Sequence, residues 1–391
     1  MAPTGDRDKI PLWRDERFWK IAIQVIVLVL VVLILSTLFG NAFRTLQQQG
    51  RQFNFGFLFN PSSFNIGETA IPYRPQDPYW KAFLVGLVNT LRLILVGFVL
   101  TTLLGVIAGI ASFSDNWLVR KLNQVYVELI RNTPLLLQLF VWYFGIIFGL
   151  AGAQPRQILG FFYITKLQGG GVFIPWMAST LIAWISLVLL ILAAIVGFFL
   201  WQWRLKVMET QGASGKPQLI ALLVLAGVAL FLLLFGLGWQ FPKPNDTGGI
   251  AGGLRLSLEY TAVLGGLVFY TGAFIAEIVR AGIQSVSKGQ WEAARALGLN
   301  SGLLMRLVVF PQALRVIIPS LNSQYMNLAK NSSLALAIGY PDIYSTASTT
   351  FNQTGRPLEV FFIIAATYLL INLVISVVMN TLNRSVQLHE R

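Results

Sequence analysis

The chain has 391 residues, 55% of them hydrophobic and only 12% charged, against about 25% charged in an ordinary soluble domain, which points to a membrane protein. Cysteine is absent, excluding disulfides and thiolate metal sites, and the one histidine, His389, lies near the end, which argues against histidine chemistry. The net charge of +13 is scattered through loops between apolar runs, so it reads as an orientation signal and a contact with anionic lipid, not as a nucleic-acid surface.

A spanning helix takes about 20 mostly apolar residues. Eight stretches qualify: 19–40, 82–111, 125–151, 176–201, 218–239, 257–282, 314–339 and 359–381. The segment before the first mixes both charge signs, and the apolar run after it is too long for a signal sequence, so no cleaved leader is expected. With the N-terminus in the cytoplasm, the inner segments carry 16 Lys and Arg and the outer ones 9, the bias expected of that orientation. The first outer loop, with Pro61, Pro72, Pro75 and Pro78, is expected to be ordered turn structure on the outer surface.

Ionisable or strongly polar groups inside a span are costly and usually face a cavity or a partner. Span two carries Asn89 and Thr90, both candidates for a solute pathway, and Arg92, which reads as snorkelling to outer headgroups. The first turns of span three carry Arg131, an anchor near the inner boundary, and Pro134, which marks a first turn or distorts the helix. Deeper in that span, the amide of Gln138 needs a partner, either a neighbouring helix or a solute. Gly105 with Gly109, and Gly145 with Gly149, form small-residue spacings that permit close helix packing. Between spans four and five, Gly212-Ala213-Ser214-Gly215-Lys216-Pro217 resembles a phosphate loop. It lacks the leading glycine, where Thr210 stands, and has Pro217 after the lysine. No nucleotide site is expected in this chain. In span six Glu277 and Arg280 share a face, as an intrahelical ion pair, a gating pair or a contact to a second subunit. Span seven has Pro319, which predicts a kink, then Gln324, Asn327, Lys330, Asn331, Ser332 and Ser333 near mid-membrane. That many polar groups require a wet cavity, irregular backbone or bonds between subunits. Lys330, Ser332 and Ser333 could donate to an anionic group there, and Asn331 or Gln324 could accept from a cationic one.

The loop between spans six and seven predicts a helix of about two turns over 290–297. Ser287 and Gln290 suit a capping box, and Gly298 with Asn300 suits a stop. Ala293, Ala294 and Ala296 keep it slim, while Trp291 and Leu297 offer bulk. So short a helix is held only by packing, on its own protein or in a partner's groove. Here Glu292-Ala293-Ala294, then Gly298, then Val308-Val309-Phe310-Pro311 resembles the EAA loop of ABC importer permeases at every spacing, with Val308 and Phe310 as conservative departures. The stretches from Arg131 to Leu139, Ala276 to Ile283 and Leu328 to Leu334 are similar to the polar amino acid uptake permeases, most of all to their broad-specificity general L-amino acid branch.

That resemblance implies an all-α integral membrane fold of about eight helices, the type I importer permease fold. Residues 1–81 would form a tail, first span and outer loop, and 82–384 the permease domain. An extra helix pair lies near 176–239, the coupling loop near 283–311, and a cytoplasmic tail follows at 385–391. The short helix, with Gln290, Trp291, Glu292, Ala293, Ala294 and Gly298, would couple to a separate ATPase. That ATPase would be present in two copies and hold the ATP and magnesium, with no cofactor on this chain. A second permease, an extracytoplasmic amino acid-binding protein and membrane lipid would complete the contacts. The chain itself would be no enzyme but a multi-pass protein of the bacterial inner membrane. The rival reading is an ion-gradient-driven carrier, for which paired inverted repeats are expected and none is visible.

Overall fold

The computed structural model describes residues 16–48, 52–166, 169–211, 214–245 and 249–386, so His389 lies outside the described residues. Eleven helices organise them. They are α1 (Glu16–Gln48), α2 (Tyr79–Ala111), α3 (Trp117–Arg131), α4 (Leu135–Leu150), α5 (Leu181–Gln211) and α6 (Lys216–Gly236). Then come α7 (Leu258–Gln284), α8 (Lys288–Ala296), α9 (Ser301–Ile338), α10 (Ile343–Thr354) and α11 (Pro357–Val386). Seven of these, α1, α2, α5, α6, α7, α9 and α11, are each long and apolar enough to cross a membrane.

The expected span at 125–151 is not one helix. Helices α3 and α4 meet at 110°, because Pro134 has no N–H to continue the ladder. Gln138 closes the break: its Nε2 donates to the Ile130 carbonyl at 2.9 Å and the Thr133 carbonyl at 3.0 Å. Among the described residues there are thus seven candidate spans, or eight if the bent pair counts as one.

Helices α2 and α7 form the centre, pressed together at Gly105 and Gly109. A Cβ on Gly109 would lie 2.5 Å from the Val279 Cβ, and one on Gly105 would run into Ile275. Backbones approach this closely only over glycine. Gly145 and Gly149, by contrast, face no other helix at such range. Helices α9 and α11 pack on this pair through Ile317, Leu321, Leu328, Ile371 and Ile375. Helix α9 continues through Pro319 and instead changes at Ser332, where it tightens to a 3-10 helix that runs to Ile338 and ends at left-handed Gly339. The extra pair, α5 and α6, packs mainly on itself. The most apolar stretches of α1 and α6 bury no residue in this chain.

On the side marked as outer by the Lys and Arg distribution, a sheet appears that periodicity alone did not announce. Its antiparallel strands are β1 (Arg156–Ile158), β2 (Phe162–Thr165) and β3 (Gly171–Ile174), with β6 (Leu254–Leu256) beside β3, while β4 (Lys243–Pro244) and β5 (Ile250–Ala251) form a separate hairpin. The register pairs Ile164 with Val172 and Val172 with Leu256, so these share one face and pack with Ile147, Leu258 and Tyr260. From residue 52 to residue 78 the first outer loop is ordered, as its prolines suggest. Ser62 is fully buried and donates to the Asp77 carbonyl at 2.9 Å. The Lys81 ammonium, 2.8 Å away, and the Arg74 N–H hold the Asp77 carboxyl below the usual carboxylate range.

Candidate functional site

Helix α8 begins four residues after α7 ends and runs nine residues. The expected capping box does not form: the Ser287 side chain makes no cap bond, and the Gln290 N–H is met by the Ser287 carbonyl at 3.0 Å. The stop forms at Gly298. With φ +74, it lets the Leu299 N–H reach back to the Ala294 carbonyl at 3.2 Å, the αL termination that glycine favours. Asn300 belongs instead to the next helix, where its Oδ1 accepts the Leu303 N–H at 2.9 Å.

The helix docks by one side only. Ala294 is buried, and half-buried Trp291 and Leu299 pack with Val286, Leu304 and Met305. Glu292 and Ala293 are exposed, while Gln290, also exposed, accepts from the Gln312 amide of α9 at 3.2 Å. Leu297 is 80% exposed, at the end of this nine-residue helix. The two bulky residues thus differ in setting: Trp291 packs on its own chain, and Leu297 stands open.

The polar residues of α9 divide as well. Lys330 and Asn327 are exposed, and Gln324 and Asn331 are half-buried. Spaced by three and four residues, they form a polar stripe along the open side of an otherwise apolar span. The two serines do not join it as donors. Ser332 is fully buried and its hydroxyl donates to the Ala329 carbonyl at 2.8 Å; the Ser333 hydroxyl donates to the Lys330 carbonyl at 2.8 Å. The expectation that they would offer protons to a carboxylate is corrected by these bonds: they stabilise the tightened backbone.

Asn89 and Thr90 are also committed within the fold. Both are fully buried. The Asn89 Nδ2 donates to the Glu68 carbonyl at 2.8 Å and the Pro341 carbonyl at 2.9 Å. Thr90 Oγ1 donates to the Gly86 carbonyl and accepts the Ile343 N–H, each at 2.9 Å. They join the outer loop, α2 and the start of α10, with the Asn89 Oδ1 left buried and without a hydrogen-bond partner. Gln138 likewise serves the α3–α4 bend. Arg92 does not reach for headgroups: its guanidinium meets Glu68 Oε1 at 2.6 Å and lies 4.2 Å over the Tyr260 ring. The other Glu68 oxygen accepts the Ser257 hydroxyl. Glu68 is the residue that sequence reasoning missed. Its only signal is that the arginine in span two needs an anion.

Glu277 joins two helices, α7 and α3. Its carboxylate takes both Arg280 donors, one at 3.0 Å, and sits 3.8 Å from Arg131 on α3. The intrahelical pair foreseen for Glu277 and Arg280 is present, extended to α3 by Arg131. Among the described residues, no cluster of His, Cys, Asp and Glu suits a metal ion.

Residues 216–388 match the family described as "Binding-protein-dependent transport system inner membrane component". Similarity to known proteins extends over nearly the whole chain. It is 42% identical over 372 residues to the putative amino-acid ABC transporter permease protein YhdX of Escherichia coli K12, covering 94% of each chain. It is 40% identical over 410 residues to the glutamate/glutamine/aspartate/asparagine transport system permease protein BztB of Rhodobacter capsulatus, covering 96% of each. It is 38% identical over 386 residues to the general L-amino acid transport system permease protein AapQ of Rhizobium johnstonii, covering 96% of this chain and 94% of that one. With its seven or eight candidate spans and its EAA-type loop folded as a one-sided helix, the chain belongs to the amino-acid ABC transporter permeases, multi-pass importer subunits of the inner membrane.

Proposed function

We propose that this chain passes polar L-amino acids of several kinds through a path formed between two permease subunits, one of them this chain and the other a paralogue. The observation that carries the proposal is the open polar stripe of Gln324, Asn327, Lys330 and Asn331 on α9. Lipid cannot accept such a stripe without a cost of several kcal/mol, so a second subunit and a hydrated path best account for it. The solute class rests on the names of the relatives, which include amino-acid, glutamate-family and general L-amino acid systems.

In this reading an ATPase chain, two copies per complex, holds ATP and magnesium and grips α8 through Leu297 and its exposed neighbours. An extracytoplasmic binding protein delivers the solute. Closure of the ATPases would move α8, which lies four residues beyond α7, and tilt the bundle between inward-open and outward-open states. Transport then follows from the ATP-dependent difference in stability of those states, with no bond chemistry on this chain.

The test is uptake of labelled glutamate, glutamine and arginine into proteoliposomes holding the whole complex, with ATP inside and binding protein outside. Uptake should need ATP and survive an ionophore. Uptake that needs an ion gradient and no ATPase would overturn the reading. Glu292→Lys should lower ATP-driven uptake at least tenfold.

A further inference from the structure

Helix α3 does not run on into the span expected over 125–151. Its contacts place it against the inner end of α2 and the middle and inner part of α7. The Asn123 amide donates to the Ser112 hydroxyl, the C-cap of α2, at 2.9 Å. The Tyr126 hydroxyl donates to the Phe269 carbonyl at 2.8 Å. Val127 packs with Ala108 and Ala276, and Arg131 lies beside Glu277. The chain then turns through 110° into α4.

Only Asn123, Tyr126, Val127 and Ile130, one edge of the helix, are buried or half-buried. The two remaining faces are open and opposite in character. One is apolar: Leu118, Leu122, Val125 and Leu129, 53%, 62%, 49% and 64% exposed, spaced at four, three and four residues. The other carries Arg120, Lys121, Gln124, Glu128 and Arg131, all exposed. A helix with these two faces lies in the plane of a bilayer interface, apolar side toward the acyl chains.

Beside the polar face, a cleft of about 410 Å³ opens between α3 and α7, with Arg120, Arg131, Arg280, Glu128, Glu277 and Ser112 among its walls. Three guanidiniums thus face two carboxylates, an excess of one positive charge: Glu277 pairs with Arg280 and Arg131, Arg280 also donates to Gln284 and Arg120 to the Ser114 carbonyl, and Glu128 accepts from Gln124, so each arginine keeps further N–H groups for a ligand. Arginine forks match the oxygens of a phosphate group. We infer that the cleft binds the phosphodiester headgroup of an inner-leaflet phospholipid, whose acyl chains lie with the Leu118–Leu122–Val125–Leu129 stripe. Arg120 and Arg131 hold the phosphate from α3, Arg280 holds it from α7, and Glu128 accepts an ethanolamine ammonium where the lipid carries one. The inference rests on the inner placement of α8, part of the function proposed above. It adds a lipid contact that bridges α3 to the helix from which α8 continues.

The test uses the complete importer complex, purified in detergent and then incorporated in nanodiscs of phosphatidylethanolamine and phosphatidylglycerol. Phospholipid retained through purification is counted by phosphorus analysis and native mass spectrometry. The Arg120→Gln/Arg131→Gln pair should lose about one phospholipid per copy of this chain, and Arg120→Gln alone should weaken retention severalfold with an unchanged melting temperature. Lys121→Gln, outside the cleft, should retain the lipid. Unchanged retention in the double variant overturns the inference. Displacement by millimolar inorganic phosphate, with no lipid retained in the parent, would make the site one for free phosphate and also overturn it. So would crosslinking of Leu122→Cys to the second permease, which would show the stripe to be a subunit contact. ATP-driven uptake is measured in parallel. If ATP dependence fails while lipid counts follow the prediction, the importer reading alone falls; the reverse pattern removes the lipid site alone.

Discussion

Trp291 and Leu297 stand on one helix of nine residues and its C-cap, and face opposite ways: Trp291 packs among Val286, Leu304 and Met305, while Leu297 is 80% exposed. Their substitutions should separate two losses that are usually confounded. Leu297→Asp removes an apolar contact without touching the bundle. It should weaken ATPase retention by about 10–100-fold, the range of an interface anchor worth 1.5–3 kcal/mol, and leave the melting temperature of the isolated permease unchanged. Trp291→Ala should lower that melting temperature, by less than the roughly 3–5 kcal/mol of a fully buried tryptophan because the side chain is only half-buried. Copurification of the ATPase and thermal unfolding of the permease measure the two effects separately.

The Glu68–Arg92 contact, 2.6 Å long with side chains 14% and 26% exposed, ties the first outer loop to α2. Arg92→Met should destabilise the protein by about 1–3 kcal/mol, below the 3–5 kcal/mol of a fully buried pair, because solvent still reaches both groups. Most of that loss would come from leaving the Glu68 carboxylate without its cation. Glu68→Gln added to Arg92→Met should therefore recover part of the stability. Thermal unfolding of both singles and the double in detergent gives the coupling; strict additivity would show that the contact carries no energy.

Gly109, with Gly105, lets α2 and α7 approach closely. Gly109→Val places new atoms where the Val279 Cβ and the Ala276 carbonyl already lie, 2.5 and 2.9 Å from a first Cβ. Overpacking of this kind costs about 1–3 kcal/mol or more, and the expected result is poor insertion or a sharply lowered melting temperature. Gly149→Val, with nothing from another helix within reach, should be tolerated. Equal effects of the two substitutions would contradict the close approach.

These cases show which parts of the molecule could be read from residues alone. The apolar runs were legible because length and hydrophobicity suffice for a span, and Gly298 was legible because a left-handed terminus selects glycine. Pro134 signalled a distortion, but not whether the chain would bend by a few degrees or by 110°. The pattern of Leu118, Leu122, Val125 and Leu129 against Arg120 and Glu128 was present in the sequence, yet it was overshadowed by the apolar run that follows. The outer sheet was missed because its strands are only three or four residues long, too short for alternation to register. Asn89, Thr90 and Gln138 illustrate a general ambiguity. A polar residue in a span must find a partner, and residue type does not tell whether that partner is a solute or a neighbouring carbonyl.

That ambiguity sets the final prediction, which contrasts Lys330 with Ser332. Both lie near the end of α9 and both were candidates for holding a carboxylate, but Lys330 is exposed on the open face while Ser332 is fully buried and donates to the Ala329 carbonyl at 2.8 Å. A charged hydrogen bond to a solute carboxylate contributes about 1.5–3 kcal/mol. Lys330→Met should therefore slow uptake by about 10–100-fold, with complex assembly intact. It should also make the isolated chain no less stable, since a cation in a span is itself costly. Ser332→Ala should leave uptake within about twofold, because it removes a helix-internal bond worth roughly 1 kcal/mol and nothing that faces the path. Reconstituted uptake and thermal unfolding of both variants decide the matter. If Lys330→Met transports normally while Ser332→Ala does not, the path runs along the buried side of α9, and the open polar stripe is a contact between permease subunits.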